Sequence, residues 1–263
     1  MNNNYNKLVI YPENRYVNNN FEFDFKPDIK FLRIDIGLSQ DATYSAHWLK
    51  SNNDRAVIGI EPHPYNINCI LTGTCKNQHI PNINLNSMTV NINHQIQKQI
   101  KDRYILIKGA VDNVLEPTIR TFYSATPDTG NSSLIKENID SQFNPNSIES
   151  SFEVPVFPLT YVLDKIDWNK FQYIEQMKID TEGNEIPVIL SCKEYIKKVI
   201  FLRVECWYGP DGYDHKDSAT PMIAFLKELG FENINQRPGD FKFRNTRYLD
   251  VINNLKLECE EVL

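Results

Sequence analysis

The stretch from residue 171 to residue 190 constrains the fold more than any other part of this chain. An apolar run leads into three acids, Asp180, Glu182 and Glu185, and Gly183 then turns the chain into a second apolar run. This order predicts a buried strand that carries carboxylates at its carboxyl end and passes into a short helix. In open α/β sheets, ligands bind at that end of the strands. The alternative is a solvated turn in which Glu185 favours a helix N-terminus.

A second pattern of the same kind lies upstream. A strand at 31–35 ends with Asp35 and Gly37, a helix follows at 41–50, and the next strand ends with Glu61. Dinucleotide-binding folds likewise place a glycine turn after the first strand and a ribose-binding acid after the second. This turn has a single glycine and an acid that would repel a pyrophosphate, so Asp35 suits a cationic ligand such as S-adenosyl-L-methionine. The alternatives are that Asp35 caps a helix and that Glu61 is a surface acid.

Strands alternate with helices along the rest of the chain. This alternation predicts a Rossmann-like α/β fold with a mostly parallel sheet, helices on both faces and an antiparallel edge. Residues 1–30 are predicted to form an N-terminal arm and residues 31–263 a single domain. The further predicted strands are 104–110, 118–125, 152–158, 172–180, 199–205, 231–236 and 248–253, and the further predicted helices are 64–72, 87–101, 159–166 and 219–229.

Composition argues against several classes of protein. The formal net charge is −6, whereas nucleic-acid binders are more often basic. No apolar run approaches the ~20 residues of a membrane span, and the N-terminus lacks the pattern of a secretory signal. The five cysteines include no Cys-x-x-Cys pair, which argues against a zinc site or a disulfide framework. We therefore expect a cytoplasmic protein that has no membrane span and does not bind nucleic acid.

Four blocks of sequence resemble, in order, the motifs of the FkbM family of S-adenosylmethionine-dependent methyltransferases. Residues 35–37 are similar to the first motif, and residues 57–62 to the strand that ends in the ribose-binding acid. Residues 122–123, followed by 130–134, resemble the family's internal strand and Ser-Ser-Leu turn. Residues 178–185 resemble its most specific signature, Lys-Ile-Asp-x-Glu-Gly-x-Glu.

The resemblance runs from about residue 31 to residue 252 and implies a class I methyltransferase fold with S-adenosyl-L-methionine as methyl donor. This chain departs from the family after the fifth strand, where Glu205-Cys206-Trp207 replaces the frequent Glu-x-His. The residues expected at the cofactor are Asp35, Gly37, Ser39, Glu61, Pro62, His63, Ala110 and Val111.

Methyl transfer to a hydroxyl needs an aligned acceptor and a group that takes its proton. Asp180 and Glu205, at the ends of the fourth and fifth strands, are candidates for the base and its orienting partner. Together with Glu182 they are alternatively candidates to hold Mg²⁺ or Mn²⁺, since hard cations take oxygen ligands. A third alternative is that they do neither.

The loop after the fifth strand carries His215 among turn residues, aromatics and acids. His215 is a candidate catalytic imidazole, and the alternative is an exposed loop histidine. The aromatic faces of this loop suit stacking on sugar rings. The leading hypothesis is therefore an O-methyltransferase that acts on a hydroxyl of a sugar or glycan. The alternatives are a methyltransferase of another small molecule or a nucleotide, and a module that binds the cofactor without turnover.

Overall fold

The computed structural model describes residues 9–11, 22–72, 102–125, 129–136, 148–208, 218–237 and 239–260. The strands are β1 (Val9–Tyr11), β2 (Phe31–Ile36), β3 (Arg55–Glu61), β4 (Tyr104–Lys108), β5 (Ala110–Val111), β6 (Thr118–Ala125), β7 (Ile148–Phe157), β8 (Ile174–Ile179), β9 (Val199–Val204), β10 (Phe231–Arg237) and β11 (Asp240–Asn245). The α-helices are α1 (Thr43–Ser51), α2 (Pro64–Thr72), α3 (Thr160–Leu163), α4 (Glu185–Ser191), α5 (Ala219–Glu228) and α6 (Leu249–Leu255). Shorter 3-10 helices cover Thr129–Asn131, Lys193–Lys198 and Thr246–Tyr248.

The main sheet has the strand order β1-β4-β3-β2-β8-β9-β11-β10. Its central strands β4-β3-β2-β8-β9 run parallel, whereas β1 and the β10–β11 hairpin form antiparallel edges. The chain builds outward from β2 to β4 and then returns to the other side of β2 with β8. The strand order therefore reverses between β2 and β8, and open α/β sheets bind ligands at the carboxyl end of such a junction. The predicted mostly parallel sheet is confirmed.

Helices cover both faces of this sheet. Successive side chains of a strand point to opposite faces, so each buried strand packs against helices on both sides. Val57 of β3 packs in a cluster with side chains of α1 and α2, whereas its neighbour Ile58 packs in a cluster with side chains of α3, α4 and α5. Full burial of each such side chain contributes about 1.5–3 kcal/mol. The two apolar layers therefore hold the strand ends in fixed positions. None of the described helices has the length and apolar character needed to cross a bilayer.

A smaller sheet with the order β5-β7-β6 begins where the main sheet ends. Gly109 separates β4 from β5, and its amide donates to the carbonyl of Glu61 at 3.0 Å. The small sheet therefore starts at the carboxyl end of β4 and extends the wall of that edge.

Two elements near the chain ends differ from the predictions. The predicted strand at 248–253 is wrong, because residue 248 ends a 3-10 helix, residues 249–253 lie in α6, and the partner of β10 is β11. Phe241 and Phe243 of β11 are fully buried and alternate with polar residues. The alternating pattern of a strand therefore lies before residues 248–253, in β11. The arm contributes β1, which was not predicted and which pairs with β4. Phe23 and Phe25 pack in the main core.

Candidate active site

The carboxyl ends of the parallel strands open into a cavity of about 290 Å³. Backbone hydrogen bonds continue past the strands at this edge, from Gly37 N to Ile60 O and from Asp180 N to Ile36 O, both at 3.0 Å. The described residues that line the cavity include four acids and neither lysine nor arginine. The cavity therefore favours a ligand with positive charge and hydroxyl groups, and disfavours a phosphate.

Glu61 lies at the end of β3 in the cavity wall and is 3% exposed. One carboxylate oxygen accepts hydrogen bonds from the amides of Leu38 and Ser39 at 3.0 and 3.1 Å. The other accepts from the amide of His63 at 2.7 Å and from the side-chain amide of Asn66 at 3.3 Å. Burial raises the pKa of Glu61 to about 7 in spite of these donors. Glu61 thus holds the β2–α1 loop and the start of α2 together around the cavity.

Gly37 begins the turn after β2 with a φ of 78°. A Cβ at this position would lie 1.6 Å from the carbonyl oxygen of Asp180. Gly37 also lines the cavity. The contact that requires a glycine here is nevertheless with the neighbouring strand end, since even a methyl group would overlap the Asp180 backbone.

Lys178 is buried near the end of β8. Its ammonium donates to the carbonyl of Gly37 and lies 3.1 Å from Asp180 Oδ2 and 3.8 Å from Asp35 Oδ1. Burial alone would lower the pKa of Lys178, but the carboxylates of Asp180 and Asp35 raise it above its usual value. Lys178 therefore connects the turn after β2, at Gly37, to the carboxylate of Asp180. The sequence analysis missed this role, although a lysine inside an apolar strand was a visible signal.

Asp35 lies behind the cavity and is not part of its lining. It is 1% exposed, and its Oδ2 accepts from the amide and the hydroxyl of Ser45 at 2.9 and 2.6 Å. Burial raises the pKa of Asp35. Its side chain turns to α1 because neighbouring residues of a strand face opposite sides, and Ile36 is the residue of β2 that faces the cavity. Asp35 thus holds the first turn of α1 through Ser45, and its predicted contact with the cofactor stays a prediction.

Three carboxyl groups meet in the cavity wall, since oxygens of Asp180, Glu182 and Glu205 lie within 4.8 Å of one another. Burial alone would raise the pKa of Asp180, but the Lys178 ammonium and a hydrogen bond with Glu205 hold that pKa below its usual range. Burial, followed by the charges of Asp180 and Glu182, raises the pKa of Glu205 well above its usual range. The pair therefore favours a negative charge on Asp180 and the proton on Glu205, as in other close carboxyl pairs.

Glu185 organises the turn after β8. Its Oε1 accepts from the amide and hydroxyl of Thr181 at 2.9 and 3.0 Å and from the amide of Gly183 at 3.1 Å. Glu182 has a left-handed φ of 54°, which is uncommon for a residue with a side chain and is often found at functional sites. The side-chain amide of Asn184 donates to the carbonyl of Val111 at 3.0 Å, which ties this turn to the small sheet. No local sequence signal pointed to Asn184.

The structure brings most of the predicted site residues together. His63 does not line the cavity, because its ring packs against Phe152 and its Nε2 lies 3.0 Å from Ser124 Oγ. His215 and the predicted helix at 87–101 lie outside the described residues. The predicted residues that line the cavity are Gly37, Ser39, Glu61, Pro62, Ala110, Val111, Asp180, Glu182 and Glu205.

Comparison with known proteins agrees with this geometry. The sequence profile of the Methyltransferase FkbM domain matches residues 17–232. The chain belongs to the FkbM methyltransferase family. Membership makes its α/β fold that of the class I methyltransferases and implies methyl transfer from S-adenosyl-L-methionine. A search of curated proteins found no match to this FkbM chain.

Proposed function

We propose that this FkbM methyltransferase transfers a methyl group to a hydroxyl oxygen of a sugar or glycan. The observation that carries the proposal is the Asp180–Glu205 carboxyl pair, which lines the same cavity as Glu61. A hydroxyl is a weak nucleophile until its proton leaves, and a positioned carboxylate is able to take that proton. The cavity therefore has an acid for the cofactor at the end of β3 and a proton acceptor at the ends of β8 and β9, on the other side of β2.

The chemistry of the cavity fits S-adenosyl-L-methionine. The acidic lining suits a sulfonium and an ammonium, and a phosphate would find no lysine or arginine there. Glu61 is the acid that would hold the ribose, beside the turn that starts at Gly37 and Ser39. Ala110 and Val111 offer apolar contact for the adenine ring of the cofactor. When bound, the cofactor supplies the electrophilic methyl group.

The protein's own part is to orient the hydroxyl and to accept its proton. The Lys178 ammonium favours the carboxylate form of Asp180, which is the acceptor for the first hydrogen bond from the hydroxyl. Once Glu205 has lost its proton, the pair carries two negative charges and becomes a stronger base. We therefore expect turnover to increase with pH as the pair ionises.

A divalent metal on Asp180, Glu182 and Glu205 is the alternative way to activate the hydroxyl. The Lys178 ammonium, 3.1 Å from Asp180 Oδ2, favours a base without a metal because it already supplies a positive charge and opposes a second cation. Activity that survives EDTA would support the base. Loss of activity with EDTA and its return with Mg²⁺ or Mn²⁺ would support the metal.

The choice of a sugar rests on hydroxyl recognition and on aromatic residues that follow Glu205 in the chain. Carboxylates accept hydrogen bonds from neighbouring hydroxyls, and Trp207 and Tyr208 follow Glu205 closely in the chain. Tyr208 is 39% exposed and is therefore accessible for stacking. A nucleotide acceptor has less support, because its phosphate would meet the acids of the lining.

Calorimetry with S-adenosylhomocysteine, followed by product detection with S-adenosylmethionine and a panel of sugars, tests the proposal. We expect saturable binding and the mass of one added methyl group on a sugar. If only hydroxyl compounds other than sugars gave a product, the proposed sugar acceptor would be wrong. Binding without any product would indicate a module that lacks turnover, and the absence of binding would reject the cofactor.

A further inference from the structure

The turn at Thr129–Leu134 forms part of the cavity wall. It is fastened to β6, because the Ala125 amide donates to Ser132 Oγ at 3.1 Å and the backbones of Tyr123 and Ser133 exchange hydrogen bonds of 2.9 and 3.1 Å. Two further hydrogen bonds connect this turn to the rest of the cavity wall. One leads towards Glu61, and the other leads to the turn after β8 that contains Glu182.

The first contact passes through Asn66. This residue is 1% exposed and lines the cavity. Its Nδ2 donates to Glu61 Oε1 at 3.3 Å, and its Oδ1 accepts from the Thr129 hydroxyl at 2.7 Å. When Glu61 is ionised it only accepts hydrogen bonds, so the amide turns its nitrogen to Glu61 and its oxygen to Thr129. A single orientation of Asn66 therefore serves both partners.

The second contact is made by Ser133. Its hydroxyl donates to the carbonyl oxygen of Glu182 at 2.9 Å and accepts from the amide of Ile135 at 3.0 Å. Glu182 holds the left-handed backbone conformation beside Asp180. The turn is therefore bonded at one end to the Glu61 side of the cavity and near the other end to the side of the reacting carboxylates.

We infer that Asn66 is a positioning residue that couples Glu61 to the turn at Thr129–Leu134. The inference rests on the proposed function, in which Glu61 receives hydroxyl donors from the cofactor. Once those donors fix the carboxylate, the carboxylate holds the amide of Asn66, and the amide holds the Thr129 hydroxyl. The far part of the turn lies against Glu182. Occupation of the cofactor end thus orders the acceptor end of the cavity.

Hydrogen–deuterium exchange with S-adenosylhomocysteine tests this coupling without any acceptor. In the wild-type protein we expect the ligand to slow exchange in a peptide over 36–42, which carries amides bonded to Glu61, and in a peptide over 129–136. Thr129→Val removes the hydroxyl at nearly constant volume, so it should abolish the slowing at 129–136 and keep that at 36–42. Thr129→Ser restores the donor and should restore the slowing.

Calorimetry on the same proteins gives a second measurement. Thr129→Val should raise the Kd for S-adenosylhomocysteine about two- to tenfold, the range of one hydrogen bond. Thr246→Val is the matched control, because its hydroxyl donates to the carbonyl of Gly230 at 2.9 Å and it does not line the cavity. This control should leave both the Kd and the exchange pattern unchanged.

The outcomes separate the coupling from the cofactor proposal. Slowed exchange at 129–136 that persists in Thr129→Val would show that the ligand covers the turn directly, and would overturn the inference. Unchanged exchange there in a wild-type protein that binds the ligand would also overturn it. Failure of the wild-type protein to bind in calorimetry would instead reject the cofactor proposal, and the inference with it.

Discussion

Replacing Gly37 by alanine should destabilise the protein through the backbone of Asp180. The added Cβ would lie 1.6 Å from the Asp180 carbonyl oxygen. Because non-bonded atoms settle at about 3.5 Å, one of the two strand ends must move by about 2 Å. Alanine at a φ of 78° costs about 1–2 kcal/mol, and overpacking adds about 1–3 kcal/mol. The sum of about 2–5 kcal/mol is a large share of the ~5–15 kcal/mol that stabilises a native protein.

Gly230→Ala is the matched control for this substitution. Gly230 has a φ of 89°, and a Cβ there meets nothing within 4 Å, so only the backbone strain applies. Urea denaturation compares the free energies of unfolding of the two variants. We expect Gly37→Ala to lose about 1–3 kcal/mol more than Gly230→Ala, and to bind S-adenosylhomocysteine more weakly because the end of β8 moves. Equal losses in the two variants would refute the reasoning.

The remaining predictions concern charged groups. Glu61→Ala should raise the Kd for S-adenosylhomocysteine at least tenfold, since hydrogen bonds to a charged group contribute about 1.5–3 kcal/mol each, and an unchanged Kd in calorimetry would contradict the ribose assignment. Burial raises the pKa of Glu61 to about 7, so the free protein keeps a proton there at lower pH; affinity should therefore increase up to that pH and then level off, and Glu61→Gln should remove the dependence. Asp180→Asn should lower turnover by roughly 10²–10⁴-fold with little change in cofactor affinity. Near wild-type turnover would instead assign the role of proton acceptor to Glu205. Glu260→Ala should lower the free energy of unfolding in urea by about 1.5–3 kcal/mol, because the buried Arg33 donates to this carboxylate at 2.9 and 2.8 Å. A loss within the error of the measurement would show that the ion pair is dispensable.

The acids at the strand ends were predictable because their position follows from the strand pattern. A buried parallel strand that ends in an acid places it at the carboxyl edge, and Glu61, Asp180 and Glu205 all line the cavity there. The terminal hairpin shows where this reasoning fails. Residues 248–253 contain β-branched residues that suit a strand or one face of a helix equally well, so the local pattern did not decide between them.

Contacts between distant residues were not predictable from local patterns. Lys178 reaches the carbonyl of Gly37 across 141 positions of sequence, and Asn66 meets Thr129 across 63. Each contact depends on which strands are neighbours and in what register they pair, and a single sequence does not state either. The same limit applies to Asp35, whose carboxylate is directed to α1 by the alternation of β2 and by the position of the first helical turn.

Acids at the two ends of the sheet have different partners. Near the amino end of β8, Glu175 is fully buried and accepts from Arg33 at 2.6 Å and from Arg55 at 2.7 and 3.0 Å, as expected of a charge that serves the fold. At the carboxyl end, neither Glu61 nor Glu205 forms an ion pair with a lysine or arginine among the described residues, and burial raises the pKa of both. An acid held in this way gains most from a ligand that brings positive charge or hydroxyl donors. Substitution of Glu205 should therefore affect turnover more than stability, whereas substitution of Glu175 should do the reverse.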